Sequence, residues 1–189
     1  INAVAYKKGQ LDSEFQVDAA AVLNAVDERT KAIFLCSPNN PTGNSLDRAA
    51  VEKILNTFAG IVVVDEAYID FSTQPSFLKS LHRFPNLIVL QTFSKAWGSA
   101  GVRLGMAFAD SRIIEIFNKV KYPYNINRLT QEYALSMLEK ADQVKAWVAL
   151  LLQERSLLAA ALERLPVVKK VYPSDPNFLL VRVEDPPGT

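Results

Sequence analysis

Apolar and polar positions along this chain follow two periods in alternation. Continuous aliphatic or β-branched runs at Ala32 to Leu35, Ile61 to Val64, Leu87 to Gln91 and Leu104 to Ala109 predict strands. The second run, Ile61-Val62-Val63-Val64, has the uninterrupted apolar character of a central strand covered on both faces. Between the first two runs, Leu46, Ala50, Val51, Ile54, Leu55 and Phe58 recur at helical spacing, with Ser45 or Asp47 able to cap the helix start. Strand, loop, helix, strand is the order of an α/β fold with a mostly parallel sheet flanked by helices.

Further along, Asp110 and Ser111 open a second predicted helix with Ile113, Ile114 and Phe117 on one face. Pro123 interrupts, and a third helix is expected over 127–140. A longer stripe of Val144, Trp147, Val148, Leu151, Leu158, Leu162 and Leu165 runs to Pro166, broken by Arg155. It reads as a connecting helix over 141–165 between two packing environments. Residues 1–140 then form the C-terminal part of a large domain, and 166–189 begin a smaller α+β one with strands at Val167 to Tyr172 and Phe178 to Val183. An isolated hairpin is marginal in water, so the small domain reads as incomplete. Ile1-Asn2-Ala3-Val4 reads as a strand without an initiator methionine, and the chain is expected to be a fragment lacking both ends.

Composition narrows the function. With 189 residues, 49% of them hydrophobic, there is material for a full core. A formal charge of +1 provides no field to draw in nucleic acid or a membrane surface, so a charged ligand must be held locally. Cys36 and His82 are single residues of their kinds, which leaves no internal disulfide and no zinc-ligand spacing. Val148 to Leu152 falls far short of the roughly 20 apolar residues a bilayer requires, and no signal pattern opens the chain. A cytoplasmic location is expected.

The chemistry concentrates around Thr92-Phe93-Ser94-Lys95-Ala96-Trp97-Gly98, with Asp65 upstream and Arg103 downstream. An amine, a carboxylate and a guanidinium are the groups a pyridoxal phosphate site needs to capture the aldehyde, partner the ring nitrogen and hold the phosphate. Each also has an ordinary reading. Asp65 emerges from an apolar strand where a carboxylate needs a cationic partner, which is either a structural ion pair, a helix cap or a pyridinium. Asn39-Asn40-Pro41-Thr42-Gly43 is a turn signal, but Asn40 could also present its amide to a phenolate oxygen. Tyr68 is either plain core or a hydrogen-bond partner of the same oxygen. Thr92, Ser94 and Arg103 suit a phosphate dianion, or else complete a turn and pair with a surface carboxylate. Lys95 alone would be a surface lysine; with an ordinary pKa of about 10.4, a nucleophilic lysine must sit where cations or desolvation disfavour its charge.

Other catalytic patterns fail. Thr92-Phe93-Ser94-Lys95 places a hydroxyl three before a lysine but has no Lys-Thr-Gly or Ser-Asp-Asn companion, and neither GxGxxG nor GxxxxGK[ST] occurs. His82 lies in the polar stretch Lys79 to Arg83 and should be exposed, while Cys36 ends an apolar strand and should behave as a small buried hydrophobe.

Taken together, Ser37-Pro38-Asn39-Asn40-Pro41-Thr42-Gly43, Val64 to Phe71, Thr92 to Gly105, Pro123-Tyr124-Asn125-Ile126-Asn127 and Asn177 to Val181 resemble the fold type I pyridoxal phosphate aminotransferases. The Pro-Tyr-Asn-Ile-Asn stretch and Asp70-Phe71 favour the histidinol-phosphate branch. The resemblance implies that Lys95 bonds to the cofactor aldehyde, Asp65 pairs with its ring nitrogen, Asn40 and Tyr68 hold its 3-oxygen, and Thr92, Ser94 and Arg103 bind its phosphate. It implies an amino donor and 2-oxoglutarate as substrates and a homodimer as the usual state. A related phosphothreonine decarboxylase, an aromatic aminotransferase and a catalytically inert folding unit are the competing readings. The family's upstream phosphate loop and ring-stacking aromatic, and its downstream substrate arginine, have no counterpart in this sequence.

Overall fold

The computed structural model describes residues 7–184; the strand expected at Ile1 to Val4 and the segment Pro186 to Thr189 lie outside it. Four strands, β1 (Ala32–Cys36), β2 (Ile61–Asp65), β3 (Leu87–Thr92) and β4 (Gly105–Ala109), form one sheet in chain order. The first three are parallel. The fourth is antiparallel to β3, so the sheet is mostly parallel, as expected. The link from β3 to β4 contains only a 3-10 turn at Ala100–Val102, and without a crossover helix the chain can only double back.

Register assigns each residue a face. Cys36 pairs with Asp65, Asp65 with Leu90 and Thr92 with Gly105, so these share one side. Leu35, Val62, Val64, Leu87 and Val89 share the other, which carries the main core. On that side lies α2 (Arg48–Thr57), with Val51, Ile54 and Leu55 buried into the sheet. Ile54 has no exposed surface, and its truncation to Ala would cost about 2–5 kcal/mol. The Asp47 carboxylate caps the helix by accepting from Ala50 N at 2.9 Å, as the sequence allowed. Its far end is closed by Asn86, whose side-chain nitrogen reaches the carbonyls of Leu55, Phe58 and Gly60 at 3.0–3.2 Å. A short helix, α1 (Ala19–Asn24), was not foreseen, because six residues give too few turns to establish a period. Asp18 caps it, accepting from Ala20 N at 2.8 Å.

The opposite face is only partly covered. Phe34, opposite Val63 in register, is 74% exposed. Two helices, α3 (Ser111–Val120) and α4 (Arg128–Leu138), start at Asp110 and Asn127, each capped by its own side chain, and both leave large apolar residues in the open, Val120 and Leu129 among them. The long α5 (Ala141–Leu162) behaves as the broken stripe foretold. Val148 and Leu152 pack on a small second cluster of Tyr68, Phe71 and Ala96, whereas Leu157 and Leu158 are exposed.

After α5 the chain forms an antiparallel pair, β5 (Val168–Val171) and β6 (Val181–Val183). The second strand is shorter than expected because Phe178 leaves the hairpin to stand edge-on against Tyr68, with ring centroids 5.3 Å apart. A second contact, Phe15 with Tyr172 at 5.1 Å, seats the hairpin on the main body. These contacts supply the apolar partner that an isolated hairpin lacks.

Candidate active site

The expected residues gather at the carboxyl ends of β1, β2 and β3, the edge where open α/β sheets bind ligands. The loop after β1 carries Asn40, held in a compact turn in which Gly43 N donates to Asn39 O at 2.8 Å and Gly43 adopts φ +84°. Both Ser37-Pro38 and Asn40-Pro41 are cis in this loop. Asn40 Nδ2 donates to the Tyr68 hydroxyl at 3.0 Å. The Tyr68 ring is buried in the second cluster, as its plain-core reading has it, and its oxygen meets Asn40. Between them, the tyrosyl proton and the second amide proton of Asn40 can converge on one acceptor such as a phenolate oxygen.

Asp65 ends β2 on the partly open sheet face. One carboxylate oxygen, Oδ1, accepts from Ala67 N at 2.9 Å. No hydrogen bond or ion pair from a described residue reaches the other oxygen, so among the described residues Asp65 has no cationic partner. Neighbouring Cys36 is half-buried, and desolvation, with a smaller push from the Asp65 charge, raises its thiol above the ordinary range.

Lys95 projects from the loop after β3, its Nζ 5.1 Å from the centroid of the Tyr68 ring. Amine, phenol and amide therefore converge at one place. The side chain is exposed, so burial does not supply the desolvation that was one of the two expected means of disfavouring its charge. Thr92 and Ser94 are adjacent through a turn in which Ser94 N donates to Thr92 Oγ1 at 3.0 Å, but the Thr92 proton is directed to Leu104 O at 3.2 Å. Arg103 is exposed and donates from Nη1 to Ala100 O at 2.9 Å; it forms no hydrogen bond with Thr92 or Ser94. Its backbone lies in the left-handed region at φ 54°, a conformation that costs a non-glycine residue about 1 kcal/mol or more and is concentrated at functional turns. The structure thus brings together Asn40, Tyr68 and Lys95, puts Asp65 and Thr92 on one sheet face, and gives Arg103 no hydrogen bond to Thr92 or Ser94.

Glu66 is the residue that motif reading passed over. It is 1% exposed, and its carboxylate accepts from Phe77 N at 2.7 Å, Ser76 Oγ at 2.6 Å and Gln91 Nε2 at 3.0 Å. Strand parity could have found it, since Glu66 follows Val62 and Val64 toward the core face while Asp65 follows Val63 away from it. His82, as expected, is exposed. Among the described residues, no helix is long and apolar enough to cross a membrane, and no group of three potential metal-ligating side chains occurs.

A model of the family described as aminotransferase class I and II matches residues 3–187. Histidinol-phosphate aminotransferase from Parabacteroides distasonis is 60% identical over 97% of this chain and 53% of its own length. The enzyme of the same name from Bacteroides thetaiotaomicron is 55% identical over 98% and 54%. The chain therefore spans about half the length of the curated relatives it matches. A crystal structure of the Clostridium acetobutylicum histidinol-phosphate aminotransferase superposes with TM-score 0.84, covering 94% of this chain and 55% of that one; at 21% identity it speaks to the fold. The Sinorhizobium meliloti histidinol-phosphate aminotransferase, in complex with pyridoxal 5'-phosphate, gives TM-score 0.79 at 26% identity over 93% and 48%. A L-threonine-O-3-phosphate decarboxylase from Porphyromonas gingivalis gives 0.74 at 27% over 87% and 51%. With a family model spanning nearly its whole length and neighbours that share its sheet, this chain belongs to the class I and II aminotransferases.

Proposed function

We propose that this chain carries the cofactor half of a pyridoxal phosphate-dependent histidinol-phosphate aminotransferase. The reaction moves an amino group from L-histidinol phosphate to 2-oxoglutarate, giving imidazole acetol phosphate and L-glutamate. The observation that carries this reading is the convergence of Lys95 Nζ on Tyr68, whose hydroxyl is held by Asn40. The 60% identity to a relative of that name supports the branch and the substrates. A cytoplasmic homodimer fits the apolar residues left open on α3 and α4 and the lack of a membrane-spanning helix among the described residues.

The residues fit the cofactor. Asp65 has a carboxylate oxygen available for a protonated ring nitrogen, and Asn40 with Tyr68 offers two donors to the 3-oxygen. Thr92, Ser94 and Arg103 are the phosphate donors in this reading; Arg103 keeps most of its guanidinium free, whereas Thr92 must turn its proton away from Leu104 O. When bound, the cofactor supplies an electron sink beside the substrate α-carbon. Lys95 would hold it through Nζ, and the same Nζ, when free, would move a proton at the donor's α-carbon. Residues 1–140 act as part of the cofactor domain, 141–165 as the connecting helix, and 166–189 as the start of the small domain.

Borohydride reduction after incubation with pyridoxal phosphate, followed by peptide mapping, tests the assignment. A reduced adduct on the peptide containing Lys95, absent in Lys95→Ala, is expected. An adduct spread over surface lysines with no preference for position 95 would defeat it. Assay of the full-length polypeptide for glutamate, as against carbon dioxide, separates the transaminase from a decarboxylase.

A further inference from the structure

The segment between β5 and β6 touches the site at two points. Asp175 N donates to Gly43 O at 2.7 Å, and Asp175 Oδ2 accepts from Ser45 N at 3.2 Å. The approach is close enough that a Cβ on Gly43 would lie 2.8 Å from Ser174 Oγ. This segment therefore lies flush on the loop that carries Asn40. A few residues later, Phe178 stands against Tyr68 at an interplanar angle of 82°. Both halves of the Asn40–Tyr68 pair are thus buttressed from outside the sheet.

What holds the segment on this course is Arg155, the residue that interrupts the apolar stripe of α5. Its Nη1 donates to Asp175 O at 2.5 Å and to Pro176 O at 2.7 Å. Pro176 is fully buried and offers no N–H, so its carbonyl is its sole main-chain anchor. A partly buried guanidinium is costly without hydrogen-bond partners, and two carbonyls on successive residues supply them. Lysine carries a flexible point charge instead of a planar fork, and would hold this pair of carbonyls less firmly.

We infer that Arg155 is a positioning residue: by clamping the Asp175 and Pro176 carbonyls it presses the segment against Gly43 and Tyr68, and so fixes the Asn40–Tyr68 pair that receives the cofactor. The clamp itself is independent of any ligand; its consequence for cofactor binding rests on the pyridoxal phosphate reading above.

Amide hydrogen exchange and pyridoxal phosphate titration on the full-length polypeptide, comparing wild type, Arg155→Lys and Arg155→Met, test this. Exchange in 172–178 and in 39–45 should accelerate together, by about tenfold or more in Arg155→Met and less in Arg155→Lys, while β1 to β3 are unchanged. Cofactor affinity should fall by about tenfold with a shifted absorbance maximum, corresponding to one lost charged hydrogen bond's influence. Acceleration confined to 172–178, with 39–45 and cofactor affinity unaltered, would overturn the inference. If Arg155→Met does not fold, the lysine variant alone decides by the same two segments. If wild type binds no pyridoxal phosphate, the functional reading fails, and the linked exchange of the two segments still decides the clamp.

Discussion

Asp65 and Glu66 are neighbours in the chain and point to opposite faces of the sheet. Asp65 shares its side with Cys36 and Leu90, and one of its oxygens takes only an amide hydrogen bond from Ala67. Glu66 turns to the core side, where Gln91 of the adjacent strand donates to it at 3.0 Å. The next pair along β3 divides in the same way, Gln91 toward Glu66 and Thr92 toward the side of Asp65. Pleating at the strand ends thus sorts two acidic residues, one buried on its hydrogen-bond donors and one left on the partly open face.

Glu66 holds the turn 75–80 against the sheet, so its removal should be felt in stability. Glu66→Ala leaves Phe77 N and the hydroxyl of Ser76 without their acceptor in a buried site, and a loss of about 3 kcal/mol is expected. Glu66→Gln keeps an acceptor for Phe77 N and should cost less. Urea denaturation of the three proteins gives the comparison; equal midpoints would show that the carboxylate carries no load.

Tyr68→Phe removes the hydroxyl that meets Asn40 but keeps the ring packed on Phe178. Folding stability should change by under about 1 kcal/mol, while pyridoxal phosphate affinity falls by about tenfold, the worth of one hydrogen bond to a charged oxygen. Titration followed by absorbance reads the second quantity and a thermal melt the first.

At Gly43, φ +84° and the nearby Ser174 side chain both oppose a methyl group. Gly43→Ala should destabilise by about 1–2 kcal/mol and loosen the segment 172–178. Adding Ser174→Gly relieves the contact but not the backbone strain, so partial recovery is expected in a double-mutant cycle. Full recovery would mean that sterics alone forbid alanine.

Asp27 carries the clearest pH signature. A side-chain hydrogen bond from Lys7, 3.0 Å away, and another from Thr30 hold its carboxyl well below the usual range. A carboxyl depressed in the folded state favours folding at pH values above its unfolded pKa of about 3.9, and that contribution is lost as pH falls from there through the lower folded value. Asp27→Asn should therefore flatten the decline of stability below about pH 4 and leave its shape near pH 7 unaltered. Denaturation midpoints at pH 3, 5 and 7 provide the check.

Several features were readable from local order in the sequence. The strands β1 to β3 fall within a residue of their apolar runs because each run is bounded by turn residues. The caps at Asp47 and Asp110 were visible because a carboxylate just ahead of a periodic stripe has one favourable use. The convergence of Asn40 and Tyr68, 28 residues apart, followed from both lying at the ends of adjacent parallel strands. The reversal of β4 and the three-residue length of β6 were not readable, since strand direction and strand end depend on what the chain meets in space.

The sequence by itself determined the alternation of strands and helices, the family and the set of reactive groups, because periodicity, turn chemistry and motif spacing are local properties. Only the tertiary structure decided that Glu66 is buried on three donors, that Lys95 stands exposed over Tyr68, and that Arg155 donates to the Asp175 and Pro176 carbonyls. Those outcomes depend on contacts between residues distant in the chain, where geometry and desolvation select one partner among many.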